Sequence, residues 1–425
     1  MKSLKKYCLL WATQSLSGLG SAMTSYSLVI WLYQRSGSAL QSALLSVCTY
    51  APYVLMSIFA GAFSDRWNKK KTMLVCDSIA AFTTVILLVL AKADMLGAWH
   101  LYLLNALNGL MNTVQQPASE VATTLLIPEE YYQKTSGLRS LSRSLNSILT
   151  PIIATALFTF AGLEAVITVD LATFAVAFVT LAFFIRIPEM SRSGEKKEKL
   201  IKSAKAGLVW LKEHTLILKL ILFLSGINLV ASAYNAALPA LILEKPNGGE
   251  SVLGIVNAFA GIATVAGSLA VTVLPVPRDR VRMICLSLFF AMSMENFILA
   301  FCDSSVLWCI GAVLGWITIP YMGANLDVIF RTEIPADMQG RVFSCRNTLQ
   351  FFLIPVGYLL GGYLTDSVFE PLALSLSDDS PLTSVFGNTG GSGAAMLFAV
   401  LGVTGVVICT VFTLMLRKYR WSEKR

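Results

Sequence analysis

Two carboxylates in this chain lie inside long apolar segments, where a charge is costly. Asp170 lies in the segment 164–186 and Glu295 in the segment 283–301, and neither has an obvious partner of opposite charge. An ionised carboxyl group at the centre of a bilayer costs about 2.5–3.5 kcal/mol on insertion scales, and protonation relieves part of that cost. Each residue could therefore bind and release a proton, although Asp170 could instead brace neighbouring helices through hydrogen bonds.

A second group of ionisable residues combines an acid with arginines that follow it across a loop. If the flanking segments are neighbouring helices, the acid of one faces the arginines of the next, and the pair can close one end of a bundle. Such pairs near lipid headgroups are easily hydrated, so they can break and re-form. A static role in pinning the loop is the alternative. The residues are Glu120, Arg139 and Arg143 in one set, and Asp327, Arg341 and Arg346 in the other.

Amide and hydroxyl side chains recur at helical spacing in several apolar segments. They favour a polar, nearly uncharged chamber that suits a large amphiphilic organic solute, because a sugar or phosphate would need denser donors or fixed cations. The same residues could instead hold helices together, as amides and small residues do in membranes. They are Gln14, Ser21 and Ser25; Asn105, Asn108, Asn112 and Gln115; Asn228, Ser232 and Asn235; and Trp316, Tyr321 and Asn325.

The elements that must position these residues are membrane-spanning helices. Of 425 residues, 55% are hydrophobic and only 14% are charged, too few to cover a soluble protein of this length. Apolar runs of about twenty residues are long enough to cross a bilayer, and a helix satisfies its own backbone there. We predict twelve spans, at 7–32, 41–63, 73–91, 98–120, 138–160, 164–186, 216–243, 252–274, 283–301, 306–329, 346–365 and 394–416.

The positions of Lys and Arg predict the orientation of these spans. If the N-terminus is cytoplasmic and the spans alternate, all but Arg35, Lys92 and Lys245 among the 33 Lys and Arg residues fall on the cytoplasmic side. Both termini are then cytoplasmic, in a multi-pass protein of the cell membrane. The net charge of +8 lies where short loops meet an anionic inner leaflet, so we expect a lipid partner and no nucleic acid.

Several other chemistries have no support in the sequence. The eight Cys and two His show no metal-ligand spacing, so we predict no metal and no cofactor. No Walker motif and no nucleophile–base set is visible, so we expect a protein that is not an enzyme. The segment 366–393 contains Asp366 and Glu370 but no cation, and we expect it to be a mobile outer loop.

An internal repeat divides the chain into two halves. SLNSILTP at 144–151 matches TLQFFLIP at 348–355, and LLIPEE at 125–130 matches TEIPAD at 332–337. Duplicated halves are common in transporters, with the solute site between them near the midplane. We therefore predict two pseudo-symmetric six-helix bundles, at 1–187 and 215–425, joined by a cytoplasmic linker at 188–214 that contains an amphipathic helix.

The stretch GAFSDRWNKKK resembles the signature of the major facilitator superfamily, which is Gly, three residues, Asp-Arg, one residue, Gly or Asn, and two basic residues. The resemblance implies that spans 1, 4, 7 and 10 line a central cavity. It also implies that Asp65 meets the start of span 11, near Arg341, when the cytoplasmic side is closed, because a helix N-terminus stabilises an anion. For the lysines, a solvated basic loop is the alternative. The signature residues of this latch are Gly61, Asp65, Arg66, Lys69 and Lys70.

Further motifs are similar to the macrolide-efflux and enterobactin-exporter branch of drug:proton antiporters. They are WATQSLSGLGSAM near the start, QRSGSA at 34–39, PASEVATTLLIPEE at 117–130, VDLATF at 169–174 and GRVFS at 340–344. This resemblance implies a monomeric bacterial exporter of amphiphilic compounds that works by proton antiport and alternating access. A siderophore or lysophospholipid exporter of the same fold, or a non-transporting membrane receptor, is the alternative.

Overall fold

The computed structural model describes residues 2–66, 68–126, 132–185, 187, 200–335 and 338–419. Every regular element in these ranges is helical. The first half contains α1 (Lys2–Ser36), α2 (Ala39–Arg66), α3 (Lys69–Lys92), α4 (Ala98–Leu126), α5 (Tyr132–Val179) and a π-helical turn (Thr180–Phe184). Next come α6 (Leu200–Glu213), α7 (Thr215–Glu244), α8 (Glu250–Val273), α9 (Arg280–Phe301), α10 (Ser305–Trp316) and α11 (Ile319–Glu333). The chain continues with α12 (Gln339–Phe351), α13 (Leu353–Leu364), a second π-helical turn (Thr365–Phe369), α14 (Glu370–Ser375), α15 (Pro381–Phe386) and α16 (Ser392–Leu416).

Nine stretches within these ranges are long and apolar enough to cross a membrane. One of them, Leu141–Phe184, has 44 residues and covers most of two predicted spans, 138–160 and 164–186. They are separated at Gly162, whose φ of 78° interrupts α5. Helices α1 and α4 are not among the nine, and both are helices for which the sequence predicts polar stripes. The prediction of an all-helical polytopic membrane protein is confirmed.

The first of two compact units contains Met1–Trp31 and Cys48–Ser203. A buried apolar cluster in this unit joins α1, α3 and the π-helical turn after α5 through Tyr7, Met73 and Leu181. These side chains have almost no exposed surface. The helices of predicted spans 1, 3 and 6 are therefore held together at one end by apolar packing.

The second compact unit contains Leu32–Val47 and Ala204–Arg425, so it includes the end of α1 and the beginning of α2. Within it, α13 packs closely on α7 because Gly361 has no side chain. A Cβ at this position would lie 2.6 Å from the carbonyl oxygen of Ala233. The domain boundaries predicted from the sequence follow chain order and stay a prediction.

The predicted amphipathic segment at 200–212 forms helix α6. Its Leu211 is buried, and a Cβ at Gly207 would lie 2.7 Å from the carbonyl oxygen of Arg341. Helix α6 therefore packs against α12, and the absence of a side chain at Gly207 permits this close contact.

The segment 366–393 contains helices and is not an irregular loop, while its predicted mobility stays a prediction. It contains part of the second π-helical turn and the short helices α14 and α15. Its acids serve as hydrogen-bond acceptors: the Glu370 carboxylate accepts from the backbone N–H groups of Gly391 and Gly393, at 2.8 and 3.0 Å. This carboxylate satisfies orphan donors at the start of α16, as a capping residue does.

Candidate functional site

Glu295 is a buried carboxylate held by side chains from two other helices. It lies on α9, and only 5% of its surface is exposed. The Tyr234 hydroxyl on α7 donates a hydrogen bond of 2.7 Å to Oε1, and the Trp316 indole N–H on α10 donates one of 3.2 Å to the same atom. A Cβ at Gly315 would collide with this carboxyl group, so a glycine is needed where α10 passes it.

Asp170 is a second buried carboxylate, in the part of α5 that corresponds to predicted span 6. Its exposure is 4%, and the Ser21 hydroxyl on α1 donates a hydrogen bond of 3.0 Å to Oδ1. A Cβ at Gly20 would lie 3.1 Å from the same oxygen. The small residue at position 20 therefore lets α1 approach the carboxylate.

Asp77 is a third buried carboxylate, which the sequence analysis missed. It lies on α3 with 9% exposure, and the Gln115 amide on α4 donates a hydrogen bond of 2.6 Å to its Oδ1. Its Oδ2 is buried and has no hydrogen-bond partner in the part of the chain that the structure describes. An acid inside an apolar span is the signal that could have found it, because Asp77 lies within predicted span 3. However, Asp77 follows the last lysine of the basic loop by only six residues, so it is easily assigned to that loop.

The three carboxylates share one arrangement. Each lies on a helix of predicted span 3, 6 or 9, and each accepts hydrogen bonds from a helix of predicted span 1, 4, 7 or 10. The donors are hydroxyl, amide and indole groups. Within the described residues none of the three carboxylates forms an ion pair. Each acid is thus joined by neutral donors to a helix that carries a predicted polar stripe.

Some predicted cavity residues are exposed midway along their helices, as a cavity lining requires. These are Ser21, Ser25, Asn112 and Asn235. The partly buried Asn105 donates to the backbone of its own helix, at Leu101 O, and Tyr321 lies 3.4 Å from the carbonyl oxygen of Pro275. Apart from Ser21, which donates to the Asp170 carboxylate, these side chains form no side-chain pair with another helix among the described residues, so they are available to line a cavity.

Other predicted cavity residues are packed between helices. The Asn108 amide oxygen accepts from the Thr83 hydroxyl at 2.8 Å, and Asn228 donates to the carbonyl of Gln350 at 3.0 Å. The buried Asn325 accepts from the Arg280 guanidinium at 2.9 Å. These contacts match the alternative reading, in which amides hold helices together. The remaining predicted cavity residues are Gln14, Gln115 and Trp316, whose side chains lie against carboxylates, and Ser232, which is buried beside Gly357.

The predicted latch and inner gate are only partly described. The surroundings of Gly61 and the side chains of Asp65, Arg66 and Glu120 lie outside what the structure describes, so the contacts predicted for them stay predictions. Asp327 and Arg143 are exposed, Arg139 and Arg341 are partly buried, and the Arg346 guanidinium lies 5.2 Å from the ring centres of both Phe330 and Phe343. The Asp327–Arg346 pair likewise stays a prediction.

Lys70, a member of the predicted latch, binds within the first unit. Its ammonium group donates to the carbonyl oxygens of Ala182 and Ile185, at 2.9 and 2.6 Å. These carbonyls lie at the end of the π-helical turn after α5, where unpaired C=O groups attract a cation. Lys69 is buried beside it. Neither side chain is a freely solvated loop cation.

At the predicted extracellular end, Asp366 caps the beginning of α2. Its Oδ2 accepts from the Ser38 hydroxyl at 2.6 Å and from Leu40 N at 2.9 Å, while Oδ1 accepts from Ala39 N at 2.9 Å. An anion is favourable at a helix N-terminus. A Cβ at Gly362 would lie 2.5 Å from the Cα of Leu40, so this glycine permits the close approach. The contact joins predicted spans 2 and 11, and no sequence pattern indicated it.

Comparisons with known proteins agree with this architecture. A model of the Major Facilitator Superfamily matches residues 10–358. Macrolide efflux protein A of Streptococcus pyogenes is 24% identical over 372 residues, which cover 85% of this chain and 90% of that protein. Enterobactin exporter EntS of Escherichia coli O1:K1 / APEC is 25% identical over 293 residues, 66% of either chain.

The fold has a counterpart among solved structures. A bacterial homologue of the human lysosomal transporter Spinster superposes with a TM-score of 0.71 at 14% identity, over 99% of both chains. At this identity the likeness concerns the fold alone. The fold class and the family resemblance predicted from the sequence are confirmed.

Proposed function

Because the chain belongs to the Major Facilitator Superfamily, we propose that it is a secondary active exporter of amphiphilic organic compounds, macrolide- or drug-like, driven by proton antiport. The observation that carries this proposal is Glu295, a buried carboxylate held by two neutral donors with no ion pair among the described residues. The macrolide and enterobactin exporters to which the chain is similar support the direction and the class of solute.

The coupling step is an exchange of charge at a buried carboxylate. Without solute, the cost of burying an anion favours a proton on Glu295. The Tyr234 and Trp316 donors favour the ionised form and so keep the proton removable. A cationic amphiphile that enters the cavity favours the anion further, and the proton leaves as the solute binds. Asp170, which accepts from Ser21 and lies beside the Thr24 hydroxyl, offers a second site for the same exchange.

The solute cavity is formed by the exposed amide and hydroxyl groups of the stripes. Ser21, Ser25, Asn112 and Asn235 supply a few hydrogen-bonding groups and no fixed charge. A surface of this kind binds a solute chiefly through apolar contact and orients it through few polar contacts. This favours a macrolide-like compound over a sugar or a phosphate.

Alternating access requires that the two ends of the bundle open in turn. On the cytoplasmic side, we assign this to the Asp65 latch near Arg341 and to the Glu120 and Asp327 ion pairs. On the outer side, we assign it to Asp366 at the beginning of α2. In this proposal, Asp65 at the end of span 2 meets the beginning of span 11 on the cytoplasmic side. Asp366 at the end of span 11 meets the beginning of span 2 on the outer side. We propose that one of these two contacts closes when the other opens.

The test is export from membrane vesicles of a bacterial host that makes the protein. In everted vesicles with an acidic lumen, adding the macrolide erythromycin should release protons from the lumen, reported by recovery of a quenched pH dye. Glu295→Gln should abolish this recovery. The exposed acid Asp378, changed to Asn, is the matched control. No recovery in the unaltered protein, with macrolides or with other drug-like cations, would overturn the proposal.

A siderophore exporter is the second candidate, supported by the similarity to enterobactin exporter EntS. An anionic solute of that kind would lack the favourable contact with an ionised Glu295, so the two candidates differ in their response to Glu295→Gln. The variant should weaken binding of a cationic macrolide and leave or improve binding of an anionic siderophore.

A receptor that does not transport differs from both candidates because its binding site is reached from only one side of the membrane. Cysteines placed at Ser25 and Asn112 should change the membrane side from which an impermeant maleimide labels them when solute is added. Unchanged labelling in the presence of a solute that binds would support a receptor and contradict the transporter proposal.

A further inference from the structure

Asp77 forms a cluster with Gln14 and Gln115 that the proposed coupling sites leave unexplained. The Gln115 amide donates to Oδ1 at 2.6 Å. The Gln14 amide approaches the same carboxyl group, and among the described residues neither its buried Nε2 nor the buried Asp77 Oδ2 has a hydrogen-bond partner. The cluster therefore contains one unmet donor and one unmet carboxylate oxygen in the same buried place.

No charged side chain among the described residues pairs with this carboxylate. Helix α3 packs against α4, α5 and the π-helical turn, and Gln14 reaches it from α1. Cys76 is the titratable neighbour on α3 itself. Lys70, at the beginning of α3, is held by the carbonyls of Ala182 and Ile185. The other ionisable groups on these elements include Arg139 and Asp170 on α5, Tyr7 and Cys8 on α1, and Glu120 on α4, whose side chain lies outside the described residues.

A purely structural role does not account for the unmet atoms. A brace between α3 and α4 needs only the Gln115 hydrogen bond, which an asparagine at position 77 could also accept. A buried polar atom without a partner is costly. A proton on Oδ2 removes the charge and creates a donor, and the Gln14 amide, turned by half a rotation, can accept from it through its own oxygen.

We propose that Asp77 is a further proton-binding residue, in the first unit, and that Gln14 links its protonation to solute binding. Ionised, Asp77 accepts from the Nε2 atoms of both Gln115 and Gln14. Protonated, it donates to the Gln14 amide oxygen. Gln14 stands seven residues before Ser21 in the stripe of α1, so a solute on that stripe selects one amide orientation and thereby one protonation state. This inference rests on the proposed function as a proton-coupled exporter.

The test measures binding and protonation separately in the purified full chain. The affinity for erythromycin is determined across a range of pH, where each proton released on binding changes the affinity about tenfold per pH unit. In parallel, infrared difference spectra between acidic and neutral pH report the C=O band of protonated carboxyl groups. The variants are Asp77→Asn, Gln14→Leu and Asp94→Asn, the last an exposed acid beyond the end of the same helix.

Asp77→Asn should reduce the pH slope of the affinity by one proton and remove one carboxyl band, while Asp94→Asn should change neither. Gln14→Leu should keep the band but lose the same part of the slope, because Asp77 still titrates without a link to the solute. Retention of the full slope in either variant overturns the inference. If Asp77→Asn fails to fold, the result for Gln14→Leu decides by itself. If the affinity of the unaltered protein for erythromycin does not change with pH, proton antiport itself is contradicted. That result differs from a pH-dependent affinity that Asp77→Asn leaves unchanged, which contradicts only the assignment to Asp77.

Discussion

Tyr234 on α7 donates a hydrogen bond of 2.7 Å to Glu295 on α9, and both side chains are buried. The bond connects a helix with a predicted polar stripe to α9, which is not among the helices that the family resemblance assigns to the cavity lining. A solute that displaces or reorients Tyr234 therefore changes the stability of the ionised carboxylate without touching it. Under the proposed antiport, this contact would link solute binding to proton release.

Changing Tyr234 to Phe should make proton release require a more alkaline medium. The hydroxyl donor stabilises the ionised carboxylate, and a hydrogen bond to a charged group contributes about 1.5–3 kcal/mol. Its loss should move the pH midpoint of erythromycin-driven proton release upward by roughly one to two pH units. The exposed Tyr363, changed to Phe, is the control. Equal midpoints in the two variants would argue against the role of Tyr234.

Changing Gly315 to Ala should damage both stability and transport. A Cβ at this position collides with the Glu295 carboxyl group, whereas one at Gly323 meets no atom within 4 Å. Gly315→Ala should therefore cost about 1–3 kcal/mol through overpacking. Gly323→Ala should be neutral or stabilise by roughly 0.5–1 kcal/mol, because alanine is the better helix former. Thermal unfolding of both purified variants makes the comparison, and similar melting of the two would contradict the packing at Glu295.

Changing Lys70 to Met should destabilise the first unit, while Lys71 to Met should not. Lys70 binds two carbonyl oxygens at the end of the π-helical turn, whereas Lys71 is exposed. Losing these charge-assisted bonds should lower the midpoint of thermal unfolding by roughly 2–6 °C. If the two variants have the same midpoint of thermal unfolding, the lysines of this loop set the orientation of the spans in the membrane and do not stabilise the fold.

Changing Asp366 to Asn should open the predicted outer end. The substitution removes the charge that binds the beginning of α2, so the contact should weaken by about 1.5–3 kcal/mol. Spin labels at Gln41 and Leu372 should then report a longer distance in a larger share of molecules. Asp378→Asn removes an acid of the same segment that accepts from Asn388 instead. Identical distance distributions in the two variants would exclude Asp366 as an outer gate.

The general architecture was predictable because it follows from composition and periodicity. Apolar run length predicts the spans, and the spacing of amides predicts the faces that Asn112 and Asn235 present. The burial of Asp170 and Glu295 was predictable for the same reason, since no loop signal lies near either residue.

The partners of these residues were not predictable, because they lie far apart in sequence. Asp366 and Ser38 are separated by 328 positions, and only the folded chain brings them together. Likewise, a stripe of amides does not distinguish Asn228, which donates to the carbonyl of Gln350, from an exposed lining residue. The need for a glycine at position 315 is likewise visible only in the folded chain, where a Cβ at this position would collide with the carboxyl group of Glu295.

Proton release on binding tests the central claim most directly. Erythromycin is added to the purified protein in weak buffer, and the pH change is recorded for the unaltered chain, Glu295→Gln and Asp170→Asn. Coupling at buried carboxylates predicts release from the unaltered chain and a loss of release in at least one variant, most of all in Glu295→Gln. Full release from both variants would contradict the assignment of the coupling proton to these two residues.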